Sequence, residues 1–353
     1  MKKFALIGCG GIGDYHLSHL MNYKDIELAG FCDLILSRAE DFARRAGGGR
    51  AFSDYREMYD AIRPDAVFLC VPPNMHGVME FEAIARGIHL FIEKPMSLDL
   101  PLARRIRDAI AAKGLISAVG FQCRYDDDIN LPAKEYIAGH PIMAVQGSRV
   151  GGIHQPDWWR VKSLSGGQLV EQTVHQMDML RWLLGTDPVE VFSMNRRGVI
   201  TNEDCVGFDA DDLSATVIRF ADGTIATMYT GCYSDNGSSW DNKMLFGARA
   251  SRMEYALCRK AAIFGLKPED MAAEAQGTVK GDGTQRRNEN ETGILYKSEA
   301  DFGDRCDRTF VDAVLSGDPS GIRSPYADAL KTLAFVLACN ESMESRMPVK
   351  VVF

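Results

Sequence analysis

The chain has 353 residues, 46% of them hydrophobic and 25% charged, which is typical of a globular enzyme large enough for two domains. Its net charge of −8 and the lack of any lysine- and arginine-rich block argue against a nucleic-acid partner. No apolar run approaches the roughly 20 residues of a membrane helix, and the nine cysteines are scattered singly, so we expect a cytoplasmic protein with reduced thiols, no membrane segment and no metal site.

The first predicted elements are a short buried strand at residues 4–7 and a helix at about residues 12–22. A G-x-G-x-x-G turn joins them. In such a turn Gly8 permits the sharp bend, Gly10 lets a pyrophosphate approach the backbone, and Gly13 lets helix and strand pack closely. The positive end of the following helix favours the phosphate charge. The pattern therefore predicts a dinucleotide site.

The second predicted strand, residues 26–32, ends immediately before Asp33, 20 residues after Gly13. An acidic side chain at that place can bind the ribose hydroxyls and repel a 2′-phosphate, which favours NAD. Arg38 follows a few residues later and could accept such a phosphate, so NADP stays open as the alternative.

Strands and helices continue to alternate to about residue 121, with strands near residue 52 and at residues 65–71, 89–92 and 116–121. This succession predicts an α/β domain with a parallel, doubly wound sheet. Pro72, Asn74 and His76 follow the strand at 65–71, where they could line a cofactor cleft. For His76, the simple preference of a helix N-terminus for polar groups is an equal alternative.

The stretch Glu93-Lys94-Pro95 directly follows the apolar strand at residues 89–92. In open α/β sheets, ligands bind at the carboxyl ends of the strands. A charged pair there could also be no more than a solvated strand end, because most charged side chains are exposed.

After about residue 125 the pattern changes, and a strong helix is predicted at residues 168–184. Glu171, His175 and Asp178 are spaced i, i+4 and i+7, which would place them on one face of a continuous helix. A solvated helix face is the default explanation. An acid or base in a cleft is the alternative, because histidine titrates near neutral pH.

The rest of the second half predicts an α+β domain with a largely antiparallel sheet. Strands are expected at residues 142–151, 188–199, 213–220, 224–233, 243–246 and 252–255, followed by a polar loop at 266–293 and helices at 298–315 and 325–344. A last strand is predicted at residues 349–352. Trp159 and Arg160 lie in a polar loop, where binding and packing are both reasonable roles for the tryptophan.

Five motifs in this order resemble the glucose–fructose oxidoreductase/inositol 2-dehydrogenase (Gfo/Idh/MocA) family. They are G-C-G-G-I-G at 8–13, V-P-P-N-M-H at 71–76, E-K-P at 93–95, G-F-Q-C-R-Y at 120–125 and G-G-Q-L-V-E-Q-T-V-H-Q-M-D at 166–178. The resemblance implies a Rossmann domain at residues 1–122 and a substrate-binding α+β domain at 123–353, whose open sheet would form a homodimer or homotetramer interface. A C-terminal helix that packs back on the first domain is compatible with this division.

The resemblance also implies the catalytic residues, and the sequence offers candidates for the remaining contacts. The catalytic lysine, histidine and carboxylate correspond to Lys94, His175 and Glu171. Cofactor contacts are expected from Gly8, Gly10, Gly11, Ile12, Gly13, Asp33, Arg38, Pro72, Asn74, His76, Glu93, Lys94 and Gln122. Substrate contacts are expected from Lys94, Arg124, Tyr125, Trp159, Arg160, Glu171 and His175. The carboxylate is aspartate in inositol dehydrogenases, and the longer Glu171 argues against inositol more than against the chemistry.

The implied reaction is hydride transfer between NAD, or NADP, and a secondary alcohol or ketone of a sugar, sugar derivative or cyclitol. His175 would be the general base, and Lys94 would bind the reacting oxygen and stabilise its developing charge. Two alternatives are an NAD-dependent glycosidase that acts by transient oxidation and a non-catalytic NAD-binding regulator. The regulator would need neither Lys94 nor His175.

Overall fold

The computed structural model describes residues 1–154, 156–234, 240–282 and 291–353. These residues form two compact units, one of residues 1–122 and 303–333 and the other of residues 123–302 and 334–353. The α-helices are α1 (Gly11–Leu20), α2 (Leu36–Arg45), α3 (Tyr55–Ile62), α4 (Val78–Ala85), α5 (Leu100–Lys113), α6 (Asp127–Gly139), α7 (Lys162–Ser165), α8 (Gly167–Glu171), α9 (Val174–Leu184), α10 (Phe302–Ser316) and α11 (Tyr326–Ser345).

The first unit contains a parallel sheet of six strands in the order β3-β2-β1-β4-β5-β6. The strands are β1 (Lys2–Ile7), β2 (Ile26–Cys32), β3 (Arg50–Phe52), β4 (Ala66–Leu69), β5 (His89–Ile92) and β6 (Ser117–Val119). Every residue of β4 is buried, as expected of a strand covered on both faces. The order reverses between β1 and β4, which in such sheets is the point where ligands bind.

Local sequence explains where several helices of this unit begin and end. The Asp54 carboxylate accepts the Arg56 N–H at 2.7 Å and begins α3. Asp99 does the same for α5 through the Leu102 N–H at 2.9 Å, and Gly114, in left-handed conformation, directly follows the end of α5. These are ordinary capping devices.

The second unit contains a ten-stranded sheet in the order β14-β15-β13-β12-β11-β7-β10-β9-β8-β16. The strands are β7 (Ala144–Val150), β8 (Pro188–Arg196), β9 (Leu213–Phe220), β10 (Ile225–Gly231), β11 (Asp241–Gly247), β12 (Arg252–Ala256), β13 (Lys260–Phe264), β14 (Gly277–Lys280), β15 (Thr292–Lys297) and β16 (Val349–Lys350). Within this sheet, as far as the described residues show, only β7 and β10 pair in parallel. Buried and exposed residues alternate along β9, so one face of the sheet is buried and the other is exposed.

The two sheets confirm the predicted fold class, but several elements differ from the sequence-based prediction. The expected loop at 266–293 is wrong, because β14 and the start of β15 lie within it; residues 283–290 are outside the described residues. Helix α6 was not predicted, and it contains Pro132, a residue that usually ends helices. Strand β13 was missed as well.

Part of the chain after residue 302 belongs to the first compact unit. Residues 303–333 pack in the first unit, where the Phe310 ring lies 5.5 Å from the Phe68 ring, centroid to centroid. Ser324 is joined to β6 by two hydrogen bonds with Val119, of 2.9 and 2.7 Å. The boundary between the units falls inside α11, after Leu333.

No helix among the described residues has the length and apolar character that crossing a membrane requires.

Candidate active site

In the turn between β1 and α1, the fold requires glycine at two positions and leaves space for a side chain at two others. Gly8 has φ +91°, and a Cβ there would lie 2.2 Å from the Cys70 carbonyl oxygen. A Cβ on Gly13 would lie 2.1 Å from the Gly8 carbonyl oxygen. At Gly10 and Gly11, in contrast, no atom from elsewhere in the protein lies within 4 Å of the position that a Cβ would take. The open space at Gly10 and Gly11 fits a bound pyrophosphate.

Asp33 is held beside this turn by backbone hydrogen bonds. Its Oδ2 accepts the Cys9 N–H at 2.9 Å and its Oδ1 accepts the Ile35 N–H at 2.8 Å. Next to it, Leu34, Ile35 and Leu36 expose 78%, 50% and 43% of their surface. A carboxylate beside an exposed apolar surface suits a ribose followed by a flat aromatic base. Arg38 is exposed on α2.

Residues after β4 form a short 3₁₀ turn, Pro73–Met75, in which Asn74 is exposed and Pro72 half-buried. His76 is buried, and its Nδ1 lies 2.6 Å from Glu80 Oε1. The other Glu80 oxygen accepts the Gly77 N–H at 2.6 Å, so His76 is tied to the first turn of α4. The Nδ1 contacts are those of a helix N-terminus, while the buried Nε2 has no hydrogen-bond partner among the described residues.

Glu93 and Lys94 follow β5 and differ strongly in exposure. Glu93 is 4% exposed, and its Oε1 lies 3.0 Å from His16 Nε2 on α1. Its Oε2 accepts the Lys94 N–H at 3.1 Å. Lys94 is half-buried, and the Lys94–Pro95 peptide bond is cis. His16 was not predicted as part of the site, although it lies only three residues after Gly13.

The predicted helix at 168–184 is wrong as a single element, because it is broken between α8 and α9. The Gln168 carbonyl accepts the N–H groups of both Gln172 and Thr173, at 3.0 and 3.1 Å, which shifts the hydrogen-bond register. The Thr173 hydroxyl also bonds to that of Thr230 on β10. Glu171 therefore does not share one regular helix face with His175, since Glu171 ends α8 and His175 lies in the first turn of α9.

Glu171 belongs to a buried polar network in the second unit. Its Oε2 accepts the Trp159 indole N–H at 2.7 Å and a hydrogen bond from the Gln172 amide. The Gln172 amide oxygen in turn accepts from Arg149 Nη2 at 2.8 Å. Burial lowers the pKa of Arg149, and the nearby Glu171 charge opposes this shift. No feature of the sequence indicated that Arg149 or Gln172 would contact the site.

His175 is half-buried, and its Nδ1 lies 3.9 Å from the Cys123 sulfur. A hydrogen bond from Cys258 lowers the pKa of the Cys123 thiol below its ordinary value, and the nearby His175 acts in the same direction, while burial opposes both. The Nδ1 side of the histidine ring therefore faces the Cys123 sulfur.

Arg124 was expected to contact substrate, and the structure places its side chain in the interior of the second unit. Its guanidinium donates to both oxygens of Asp178, Nε to Oδ2 at 2.7 Å and Nη2 to Oδ1 at 2.6 Å. Both side chains are 1% exposed. The structure therefore uses Arg124 in an interior ion pair. Asp178 is buried and does not lie on a solvated face.

The remaining predicted residues have mixed exposure. Tyr125 is 3% exposed and Trp159 1% exposed, whereas Gln122 and Arg160 are half-buried. Arg160 Nη1 pairs with Asp157 at 3.1 Å, and its Nε has no hydrogen-bond partner among the described residues. Trp159 thus reaches the site through its indole N–H on Glu171 and not through an exposed ring.

Two family models match overlapping parts of the chain. Residues 2–121 match the oxidoreductase family Gfo/Idh/MocA, NAD-binding Rossmann fold. Residues 104–251 match the Gfo/Idh/MocA C-terminal domain.

Known proteins are similar over most or all of the length. The myo-inositol 2-dehydrogenase of Thermotoga maritima is 25% identical over 357 residues, which cover 99% of this chain and 98% of that protein. The scyllo-inositol 2-dehydrogenase (NAD(+)) of Bacillus subtilis is 30% identical over 226 residues, 63% of this chain and 64% of that protein. The structure of scyllo-inositol dehydrogenase from Lactobacillus casei with bound NAD(H) and scyllo-inositol superposes with a TM-score of 0.76 at 20% identity, over 99% of both chains.

Proposed function

Because the chain belongs to the Gfo/Idh/MocA family of oxidoreductases, we propose that it transfers hydride between NAD and a secondary alcohol or ketone of a sugar, sugar derivative or cyclitol. The observation that carries this proposal is the polar network around Glu171 in the same unit as the half-buried His175. Fixed hydrogen-bonding groups and a titratable ring are what a polyol oxidation needs.

His175 is proposed as the general base. It accepts the proton of the substrate hydroxyl as hydride leaves the carbon for the nicotinamide. Lys94 donates a hydrogen bond to the same oxygen and stabilises its developing charge. An unperturbed lysine has a pKa of about 10.4, so a charge role suits it better than a base role.

Glu171 is proposed to orient substrate hydroxyls. Its carboxylate is already held by Trp159 and Gln172, which fixes its direction before substrate binds. Arg149 brings a positive charge near this carboxylate and supports its ionised form.

NAD is the proposed cofactor and supplies the hydride acceptor when bound. Gly10 and Gly11 would meet its pyrophosphate, and the Asp33 carboxylate its adenosine ribose. The exposed side chains after Asp33 offer an apolar surface for the adenine. NADP is the less favoured cofactor because Asp33 would repel a 2′-phosphate.

A homodimer or homotetramer is also proposed. The exposed face of the second sheet carries Met194, Val217 and Ile225, which are 66%, 48% and 41% exposed. Exposed apolar side chains on one sheet face are typical of an interaction surface. Sedimentation of the purified protein tests this directly.

The test of function is the appearance of reduced nicotinamide with NAD or NADP across a panel of sugars, sugar acids and inositols. Turnover by the wild type and its loss, by roughly a hundredfold or more, in His175→Ala and Lys94→Ala are expected. Lys94→Ala with unchanged turnover would remove that residue from the mechanism. The glycosidase alternative predicts aryl-glycoside cleavage with catalytic NAD and no net reduction, and the regulator alternative predicts binding without turnover.

Cofactor preference has its own test. Asp33→Ala should lose most of the preference for NAD over NADP in kcat/KM. Asp65→Ala is the matched control, because Asp65 also accepts a backbone N–H, that of Lys3 at 2.7 Å, but precedes β4 and does not bond to the glycine turn. Unchanged selectivity in Asp33→Ala would contradict the ribose role.

A further inference from the structure

A chain of hydrogen-bonded ionisable side chains is buried in the first unit. Glu93 Oε1 lies 3.0 Å from His16 Nε2, and His16 Nδ1 lies 2.8 and 2.9 Å from the two carboxylate oxygens of Asp307. His19 Nδ1 contacts the same aspartate at 2.7 Å. None of the four side chains is more than 8% exposed. These groups come from α1, from the residue after β5 and from α10.

The geometry favours the charged form of His16. Both of its ring nitrogens face carboxylate oxygens, and only the imidazolium can donate from both nitrogens. Burial alone would lower the pKa of His16, but the charges and hydrogen bonds of Asp307 and Glu93 raise it to about 10. The rings of Phe68 and Phe91 lie 5.5 and 5.0 Å from the His16 ring and exclude water, which strengthens these contacts.

The same contacts explain why His16, His19 and Asp307 lie together. Their ligand-type atoms are all within 4.8 Å of one another, but the hydrogen bonds account for this arrangement without a metal ion. A function in positioning is therefore simpler than a function in metal binding.

The network ends on the backbone of the candidate catalytic lysine. Glu93 holds His16 with one oxygen and the Lys94 N–H with the other. Gly120 leaves room for this carboxylate, because a Cβ there would lie 2.1 Å from Glu93 Oε1. Helix α1, which carries His16 and His19, begins at the glycine turn. The network thus joins the helix of the dinucleotide turn to the Glu93-Lys94 segment.

We propose that His16 and Asp307 are positioning residues for hydride transfer: Asp307 orients His16, His16 holds the Glu93 carboxylate, and Glu93 fixes the backbone at Lys94. This proposal rests on the proposed function of Lys94. It assigns a role in the reaction to a side chain from α10, more than 200 residues after Lys94 in the sequence. Without the network, the glycine turn and Asp33 would be intact, but the Lys94 backbone N–H would lose its fixed acceptor.

The test compares His16→Gln and Asp307→Asn with Tyr23→Phe. The control removes another hydrogen bond between the same two regions, that of the Tyr23 hydroxyl to Asp304 at 2.7 Å, without touching the network. Single-turnover hydride transfer at saturating NAD should fall about 10–100-fold in the first two variants, the scale of a small misplacement of a catalytic group. NADH affinity should change less than about threefold, and Tyr23→Phe should stay within about twofold of wild type in both.

Stability is measured in parallel, and rates are expressed per folded enzyme. A purely structural role would lower NADH binding and hydride transfer together. Asp307→Asn keeps the shape of the side chain and provides the second variant if His16→Gln does not fold. Hydride-transfer rates of both folded variants equal to that of Tyr23→Phe would overturn the proposal.

A second readout does not depend on turnover. Lysines are labelled by reductive ¹³C-methylation, and the Lys94 signal is assigned by its loss in Lys94→Arg. This signal should shift in His16→Gln and Asp307→Asn and coincide with wild type in Tyr23→Phe. If the Lys94 signal shifts in these variants but the wild type turns over no substrate, the proposed function fails. The contact between the network and Lys94 would still stand. An unshifted signal overturns the network's role at Lys94.

Discussion

Arg124 and Asp178 form a doubly hydrogen-bonded ion pair in the interior of the second unit, with both side chains 1% exposed. The two residues come from motifs that are 54 positions apart. Trp182 lies 6.0 Å from the guanidinium carbon, ring centroid to atom, so the pair is covered by an aromatic ring. The pair therefore ties Arg124 to α9, the helix that also carries His175.

Breaking this pair should be costly. Arg124→Ala or Asp178→Ala leaves a buried charge without its partner, and each should lower the free energy of unfolding by about 3–5 kcal/mol. The double variant Arg124→Met/Asp178→Leu should recover most of the loss, because no charge stays buried. Urea denaturation measures all three. Single variants that are as stable as wild type but have a raised KM would instead indicate substrate contact.

Substitution of two glycines should separate fold from cofactor binding. Gly8→Ala places a methyl group against the Cys70 carbonyl at positive φ and should lower the free energy of unfolding by roughly 1–3 kcal/mol. Gly10→Ala meets no atom from elsewhere in the protein within 4 Å and should leave stability unchanged. It should weaken NADH binding about tenfold, or about 1.4 kcal/mol, if the pyrophosphate lies there.

Urea denaturation and NADH fluorescence titration check both halves of this prediction. Equal loss of stability in Gly8→Ala and Gly10→Ala would contradict the open space at Gly10. Unchanged NADH affinity in Gly10→Ala would place the pyrophosphate elsewhere.

The Trp159 hydrogen bond should matter for catalysis. Trp159→Phe keeps a buried ring but removes the donor to Glu171, and a hydrogen bond to a charged group contributes about 1.5–3 kcal/mol. We expect kcat/KM to fall at least about tenfold. Trp158→Phe, at the half-buried neighbouring position, is the control and should stay within about twofold. Equal effects of the two substitutions would argue that Glu171 needs no orientation by Trp159.

The charge state of His16 can be observed directly. Its pKa is raised from an ordinary 6.5 to about 10, so the folded protein should hold the imidazolium throughout the neutral range. Because the folded pKa lies above the unfolded one, the stabilisation is fully present below about pH 6.5 and is lost as the pH rises to about 10. Over that window the contribution declines by at most about 1.4 kcal/mol per pH unit.

¹⁵N-histidine spectra, assigned by the signal lost in His16→Gln, measure this titration. His89 is an internal control, because burial lowers its pKa. A His16 ring that becomes neutral below pH 8 would contradict the ion pairs with Asp307 and Glu93.

The sequence by itself determined the Rossmann half of the fold and the place of its glycine turn. Buried parallel strands are continuous apolar runs, and the roles of Gly8 and Gly13 depend on contacts close in the sequence or on the neighbouring strand. The motifs around Lys94 and His175 were sufficient to identify the family. Local pattern was also sufficient for β9, where buried and exposed residues alternate.

Tertiary structure decided the environment of each side chain. The break after Glu171 depends on the doubled hydrogen bonds of the Gln168 carbonyl and on Thr230 of β10, and neither is visible in helical periodicity. Whether Arg124 meets solvent or Asp178, and whether Asp307 reaches His16, depends on contacts 54 and 291 residues apart. Such contacts form only when the chain has folded, because hydrogen bonding and burial in a packed interior are set by distance in space and not by spacing along the chain.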